Sequence, residues 1–199
     1  MLLIDVSARP GPEDLKINER VEAILDENRR LLQSLDKDAV KDFVHRILTS
    51  RKVFFSAQGR SGFVLRCFCM RLMHLGSPVH FCGDTVTPAL AREDLLVVLS
   101  GSGETASTLE AVRDARKRGA YTFGILGNLD SSIGSLVDGS IHLPGTTKLC
   151  LETEPQSVQM AGSLFEQSTF LFLEAVVLAL YLEAMDVIGS VSPRHAVIE

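Results

Sequence analysis

The apolar run Leu95, Leu96, Val97, Val98, Leu99 passes directly into the tract SGSGET, Ser100 to Thr105, and that junction limits the possible folds more than any other part of the chain. A buried strand that enters a Gly/Ser turn and then a helix places backbone N–H groups, hydroxyls and a helix N-terminus at one point in space, and such a point suits a phosphate. Gly101 and Gly103 admit left-handed angles and close approach, while Ser100, Ser102 and Thr105 supply donors without charge. Glu104 is expected in the first helical turn, where the dipole favours an acid. The same residues also make ordinary capped turns, so the tract alone leaves both readings open.

A second cluster repeats the arrangement. GRSG, Gly59 to Gly62, follows the β-rich run Val53, Phe54, Phe55 and precedes a helical pattern from Phe63 to Leu75. Two hydroxyl-bearing loops, each after a strand, lie at the same carboxyl edge of one parallel sheet, where a single ligand spans both. GSGETA formally matches the dinucleotide fingerprint GxGxxA, with Asp130 available as the acid, yet that loop follows the third expected strand and not the first. Two hydroxyl-rich loops suit one phosphate monoester better than a pyrophosphate, and the sequence has no GxxxxGKS or GxxxxGKT tract for ATP or GTP hydrolysis.

Alternation along the chain supplies the frame. Apolar residues recur at threes and fours from Glu13 to Leu35 and again from Asp38 to Leu48, which predicts two amphipathic helices in an N-terminal segment, residues 1–50. Strands follow at Val53 to Ala57, Pro78 to Cys82, Asp94 to Leu99, Thr122 to Leu126 and Ser140 to Leu143, with helices at Ser61 to Leu75, Glu104 to Arg118 and Ser131 to Leu136. This order predicts a three-layer α/β/α sandwich around a five-stranded parallel sheet of flavodoxin-like type. Gly145 to Gln159 reads as a long loop, Leu164 to Met185 as a long last helix, and residues 187–199 as a C-terminal arm. With 199 residues and 46% hydrophobic content, one domain over 1–199 is expected.

Charge excludes several partners. The chain has 20 basic and 25 acidic residues, a net of -5, so no basic stripe suits nucleic acid or an anionic membrane. The acids Glu13, Asp14, Glu22, Asp26 and Glu27 on the N-terminal helices would repel DNA. Residues 1–12 lack the apolar core and cleavage site of a signal peptide, and Cys67, Cys69, Cys82 and Cys150 read as reduced core or subsurface thiols, so a cytoplasmic protein is expected. Glu166, Gln167, Glu174 and Glu183 interrupt the last helix too often for a bilayer core, which makes it a helix buried in the protein or at a subunit interface.

Read together, GRSG, RLMHLG (Arg71 to Gly76), GDTVTP (Gly83 to Pro88), DLL (Asp94 to Leu96), SGSGET, GSLFEQ (Gly162 to Gln167) and the ending RHAVIE resemble the sugar isomerase (SIS) domain. Within it the RLMHLG and GSLFEQ blocks and the RHA ending resemble the 6-phospho-3-hexuloisomerase group. Two departures stand out: Ala57, Gln58 and Gly59 replace the usual Gly-Ala-Gly, and HAVIE replaces HANLE. Gln58 either narrows the first loop or faces solvent.

The resemblance implies interconversion of D-arabino-3-hexulose 6-phosphate and fructose 6-phosphate, without metal or cofactor, in a homotetramer built as a dimer of dimers. It favours Glu166 as base, in apolar surroundings near the start of the last helix, and His195 as the proton shuttle, reaching into a neighbouring subunit. The phosphate falls to Ser100, Ser102 and Thr105, with Ser61 as an additional contact, and Arg60 to the sugar or a neighbouring chain. Another phosphosugar substrate, or a sensing module without chemistry, is the alternative. The other histidines, His45, His74, His80 and His142, read as structural.

Overall fold

The structure is a computed structural model that describes residues 11–145 and 156–188. Five strands form one sheet: β1 (Val53–Ser56), β2 (Val79–Phe81), β3 (Leu95–Ser100), β4 (Tyr121–Leu126) and β5 (Gly139–His142). All neighbours run parallel in the order β2-β1-β3-β4-β5. Helices α1 (Ile17–Gln33), α2 (Lys37–Thr49), α3 (Gly59–His74), α4 (Ala106–Lys117) and α5 (Ser163–Ile188) complete the sandwich.

Every residue of β3 is buried, because both faces of the sheet are covered and alternate side chains feed two separate cores. Phe55, Val97, Phe123 and Ile125 point into the larger core with Phe43, Leu65, Phe68 and Phe172, drawn from α2, α3 and α5. Phe54, Leu96 and Val98 point into the smaller one with Val112 and Ala115 of α4. The layers are unequal: among the described residues α1, α2, α3 and α5 contribute to the first core, whereas α4 is the single helix on the second, where Ile133 and the partly buried Leu90 fill in from loops. Phe43 is the hub of the larger core, with ring centres of Phe123, Phe172 and Phe68 at 5.1, 5.7 and 6.1 Å.

At the sheet's amino edge, Asp94 takes two hydrogen bonds from Arg51, at 3.1 and 3.0 Å, and one from the Ala91 N–H at 2.8 Å, closing the turn that feeds β3. Asp138 plays the same part before β5, accepting from the Thr122 N–H and hydroxyl at 2.9 and 2.7 Å.

Four local expectations are corrected. Ser131 to Leu136 is a succession of turns and no helix, held by Ser131 Oγ accepting the Gly134 N–H and donating to the Asn128 carbonyl. The helix expected from Glu13 breaks at Lys16, whose φ of 49° separates a 3-10 turn (Pro12–Leu15) from α1. Cys67 is exposed on α3, so it is no core thiol, although Cys69 and Cys82 are partly buried and all three are free; Cys150 lies outside the described residues. Glu27, one of the acids expected to repel DNA, is buried and so does not face a partner.

α5 extends over 26 residues, and its stretch Ser163–Glu183 is long and apolar enough to cross a membrane by length and composition. One side is core, through Leu164, Phe165, Phe172, Leu173 and Val176. The other side exposes Phe170, Leu171, Leu178, Tyr181 and Leu182.

Candidate active site

β1 and β3 are adjacent, yet the chain leaves them toward opposite faces, into α3 on the larger core and α4 on the smaller. Their carboxyl ends therefore form the topological switch point of the sheet, the crevice where open α/β sheets bind ligands. Both helices start there without a side-chain cap: Gln58 precedes α3 and Thr105 precedes α4, and neither caps the N–H groups that follow. Two uncapped helix N-termini at one crevice present the positive ends of two dipoles and several free donors to an anion.

The loop after β3 is held from within. Ser100 Oγ is buried, accepts the Gly103 N–H at 3.0 Å and lies 3.0 Å from Thr105 Oγ1, while Ser102 Oγ accepts the Glu104 N–H at 3.2 Å. Gly103 turns at φ +71°, and a Cβ there would lie 2.0 Å from Ser131 Oγ, so only glycine lets the loops after β3 and β4 meet. Glu104 is not in the first turn of α4, as expected, but precedes the helix and accepts the Ser132 N–H at 2.7 Å. The Ser132 hydroxyl, and after it this N–H, lower the Glu104 pKa from its ordinary value. Sequence reasoning missed the support from Asn128, Ser131 and Ser132; His142, read as structural, has its Nε2 3.1 Å from the Gly127 carbonyl at the same edge.

At the first loop Gly59 takes φ +59° and Gln58 faces solvent, so Gln58 does not narrow the loop. A Cβ on Gly62 would meet the Ala57 carbonyl at 3.2 Å, which keeps α3 close to the end of β1. Arg60 and Ser61 occupy the first turn of α3. The Arg60 guanidinium pairs with the Glu166 carboxylate, which raises the Arg60 pKa further. The Glu166 side chain is only 13% exposed and has apolar neighbours on α1, α3 and α5, but it also has a cation as partner, which the sequence reading did not include.

Glu166 lies in the first turn of α5 beside Gly162, whose φ of +89° sets the entry to the helix. It lines a groove of about 440 Å³ between α1, α3 and α5, together with Arg60, Asn28, Gln167 and the apolar Leu25, Phe63 and Phe170. The structure thus brings together Ser100, Ser102 and Thr105 in one loop, and Arg60 and Glu166 in one ion pair. Arg60 and Ser61 stand in the first turn of α3, at the carboxyl end of β1, the strand next to β3. His195 lies outside the described residues.

Comparison with known proteins bears on the family and the fold. The family model described as SIS domain matches residues 46–173. The chain is 36% identical over 166 residues to the 3-hexulose-6-phosphate isomerase of Bacillus subtilis, covering 83% of this chain and 90% of that one. It is 37% identical over 183 residues to the enzyme of the same name from Mycobacterium gastri, covering 92% of each. A Methanococcus jannaschii protein, for which the function of 3-hexulose-6-phosphate isomerase was inferred from its crystal structure, superposes with a TM-score of 0.75 at 28% identity, over 91% of this chain and 99% of that one. The chain belongs to the SIS domain family.

Proposed function

We propose that this SIS-domain protein is a phosphosugar isomerase that interconverts D-arabino-3-hexulose 6-phosphate and fructose 6-phosphate, moving the carbonyl between C3 and C2 through a 2,3-enediol. The observation that carries the reading is the pairing of an anion cradle at the β1/β3 switch point with a carboxylate, Glu166, held across the first turn of α3. Relatives named 3-hexulose-6-phosphate isomerase, matched over most of the chain, supply the substrate.

In this reading Ser100, Ser102, Thr105 and the first N–H groups of α4 bind the phosphate, with Ser61 adding a hydroxyl. Uncharged donors fit an enzyme that must release its product, because tight binding shared by substrate and transition state does not accelerate the chemical step. Glu166 removes the proton from C2 of the 3-hexulose and returns it at C3, and His195 carries a proton between the two oxygens. Arg60 orients the Glu166 carboxylate and meets the sugar. A homotetramer of two dimers covers the exposed side of α5, and the reduced cysteines fit the cytoplasm. The reaction serves formaldehyde fixation toward fructose 6-phosphate, or pentose supply in reverse.

The test is turnover of fructose 6-phosphate in D2O. Deuterium is expected at C3 of recovered fructose 6-phosphate and at C2 of the 3-hexulose, with Glu166→Gln losing at least about a hundredfold in rate while still binding the phosphosugar. Saturable binding with no exchange in the unmodified protein overturns the substrate assignment, in favour of another phosphosugar or a sensor. Undiminished exchange in Glu166→Gln removes Glu166 as base.

A further inference from the structure

α1 buries only three residues, Glu27, Asn28 and Leu31, and two of these are polar. Their neighbours Asp26, Arg29 and Arg30 are exposed, as a surface helix requires. Glu27 accepts hydrogen bonds from Ser157 Oγ at 2.7 Å, the Val158 N–H at 2.9 Å and Gln159 Nε2 at 2.8 Å. Asn28 donates to the Ile24 carbonyl at 2.8 Å and to Gln167 Oε1 at 3.0 Å, and accepts from Ser168 Oγ at 2.7 Å. Two consecutive residues of one helix therefore grip the chain on both sides of Glu166.

The grip matters because little else holds the approach to α5. None of residues 156–162 is buried, and Val158 and Met160 are 75% and 84% exposed. Apolar packing does not fix this connection, whereas three hydrogen bonds to a buried carboxylate do. From Gln159 the chain continues through the Met160 carbonyl, bonded to the Ser163 N–H at 2.9 Å, and through the left-handed Gly162 to Glu166, whose N–H bonds the Gly162 carbonyl at 3.0 Å. A displacement of residues 157–159 is passed to the carboxylate by that short path.

Burying a carboxylate is a poor means of gaining stability alone, since apolar side chains of similar volume serve as well or better, but directional bonds define position. Burial acts to raise the Glu27 pKa, yet the bonds from Gln159, Val158 and Ser157, with Arg30 nearby, outweigh it and leave the group below its ordinary value, so it is charged when the grip is made.

We propose that Glu27 and Asn28 are positioning residues that act through Glu166, fixing its carboxylate for proton transfer. The inference rests on the reading of Glu166 as the base. Glu27→Ala, Glu27→Gln and Asn28→Ala are to be compared with Glu166→Gln and with Ile47→Val, a core change in α2 away from the site, by kcat, KM for fructose 6-phosphate and thermal midpoint, the rates taken well below each midpoint. A misplaced base predicts a kcat loss of about 10- to 100-fold in Glu27→Ala, a smaller loss in the isosteric Glu27→Gln, and little change in KM, since the phosphate loop is untouched. Ile47→Val is expected to lower the midpoint and leave kcat alone.

Normal kcat in Glu27→Gln and Asn28→Ala, beside an inactive Glu166→Gln, overturns the positioning role and leaves the base in place. A rise in KM that matches or exceeds the loss in kcat also overturns it. Normal exchange in Glu166→Gln overturns both readings. Should Glu27→Ala fail to fold, the isosteric variant and Asn28→Ala decide the matter.

Discussion

The two switch-point loops, after β1 and β3, each hold a glycine at positive φ, and only one of these two is crowded, which gives a paired test of how the loops are joined. Gly59→Ala places a methyl at φ +59° with nothing within 4 Å, so its cost is conformational alone, about 1 kcal/mol. Gly103→Ala meets the same backbone cost at φ +71°, and its Cβ falls 2.0 Å from Ser131 Oγ, 2.4 Å from Ser131 Cβ and 3.0 Å from the Asn128 carbonyl. Ser131 cannot remain in place, and its hydroxyl makes two hydrogen bonds, to the Asn128 carbonyl at 2.9 Å and from the Gly134 N–H at 3.1 Å. Losing both adds about 2 kcal/mol, so Gly103→Ala is expected to cost about 3 kcal/mol in all. Urea unfolding of the two variants and the parent protein measures the difference. Equal losses would refute the claim that close contact between the loops after β3 and β4 is what demands glycine at 103. A Gly103→Ala protein that folds is also expected to bind fructose 6-phosphate more weakly, because the Ser100 to Thr105 cradle moves with the backbone.

The phosphate reading predicts that Ser100→Ala, which removes the hydroxyl shared by the Gly103 N–H and Thr105, weakens fructose 6-phosphate binding about tenfold or more by calorimetric titration. Phe43→Ala, at a fully buried position in contact with Phe68, Phe123 and Phe172, is expected to cost about 3–5 kcal/mol in urea unfolding. Glu27 titrates below 4.5, its reference value, in the folded protein, so its contribution is full above that pH and disappears as pH falls through the lower folded value. The urea midpoint of the parent protein should therefore drop more steeply below about pH 4.5 than that of Glu27→Gln, and parallel curves would count against the Glu27 bonds.

What the sequence reveals depends on whether the determining contact is local. β3 is plain from Leu95 to Leu99 because both of its faces are buried, and the switch-point loops are plain because glycine and hydroxyl residues stand beside it. The turns at Ser131 to Leu136 imitate a helix in spacing, but a Cβ on Gly134 would fall 2.1 Å from the Leu129 carbonyl, a close approach that no periodicity encodes. Glu104 reads as a first-turn acid because its partner, Ser132, lies 28 residues away. Glu27 occupies a polar position in a helical pattern and reads as solvated, since the residues that draw it inward, Ser157 to Gln159, lie beyond the whole sheet. The pairing of Arg60 with Glu166 spans 106 residues and appears only once α3 and α5 are packed.

The unequal layers bear on the order in which the protein is built during synthesis. The smaller core needs nothing beyond Val137, so the face of the sheet under α4 can be sealed while the chain is still emerging. The larger core waits for Phe165, Phe172, Leu173 and Val176, and α1, made first, meets its partner helix only when α5 arrives. Until then Phe43 lacks the ring of Phe172, and one side of the nascent sheet holds apolar surface that other chains can reach. Vectorial synthesis thus leaves this core most open to misassembly just before α5 is released, and the Asn28 bonds to Gln167 and Ser168 can close only then.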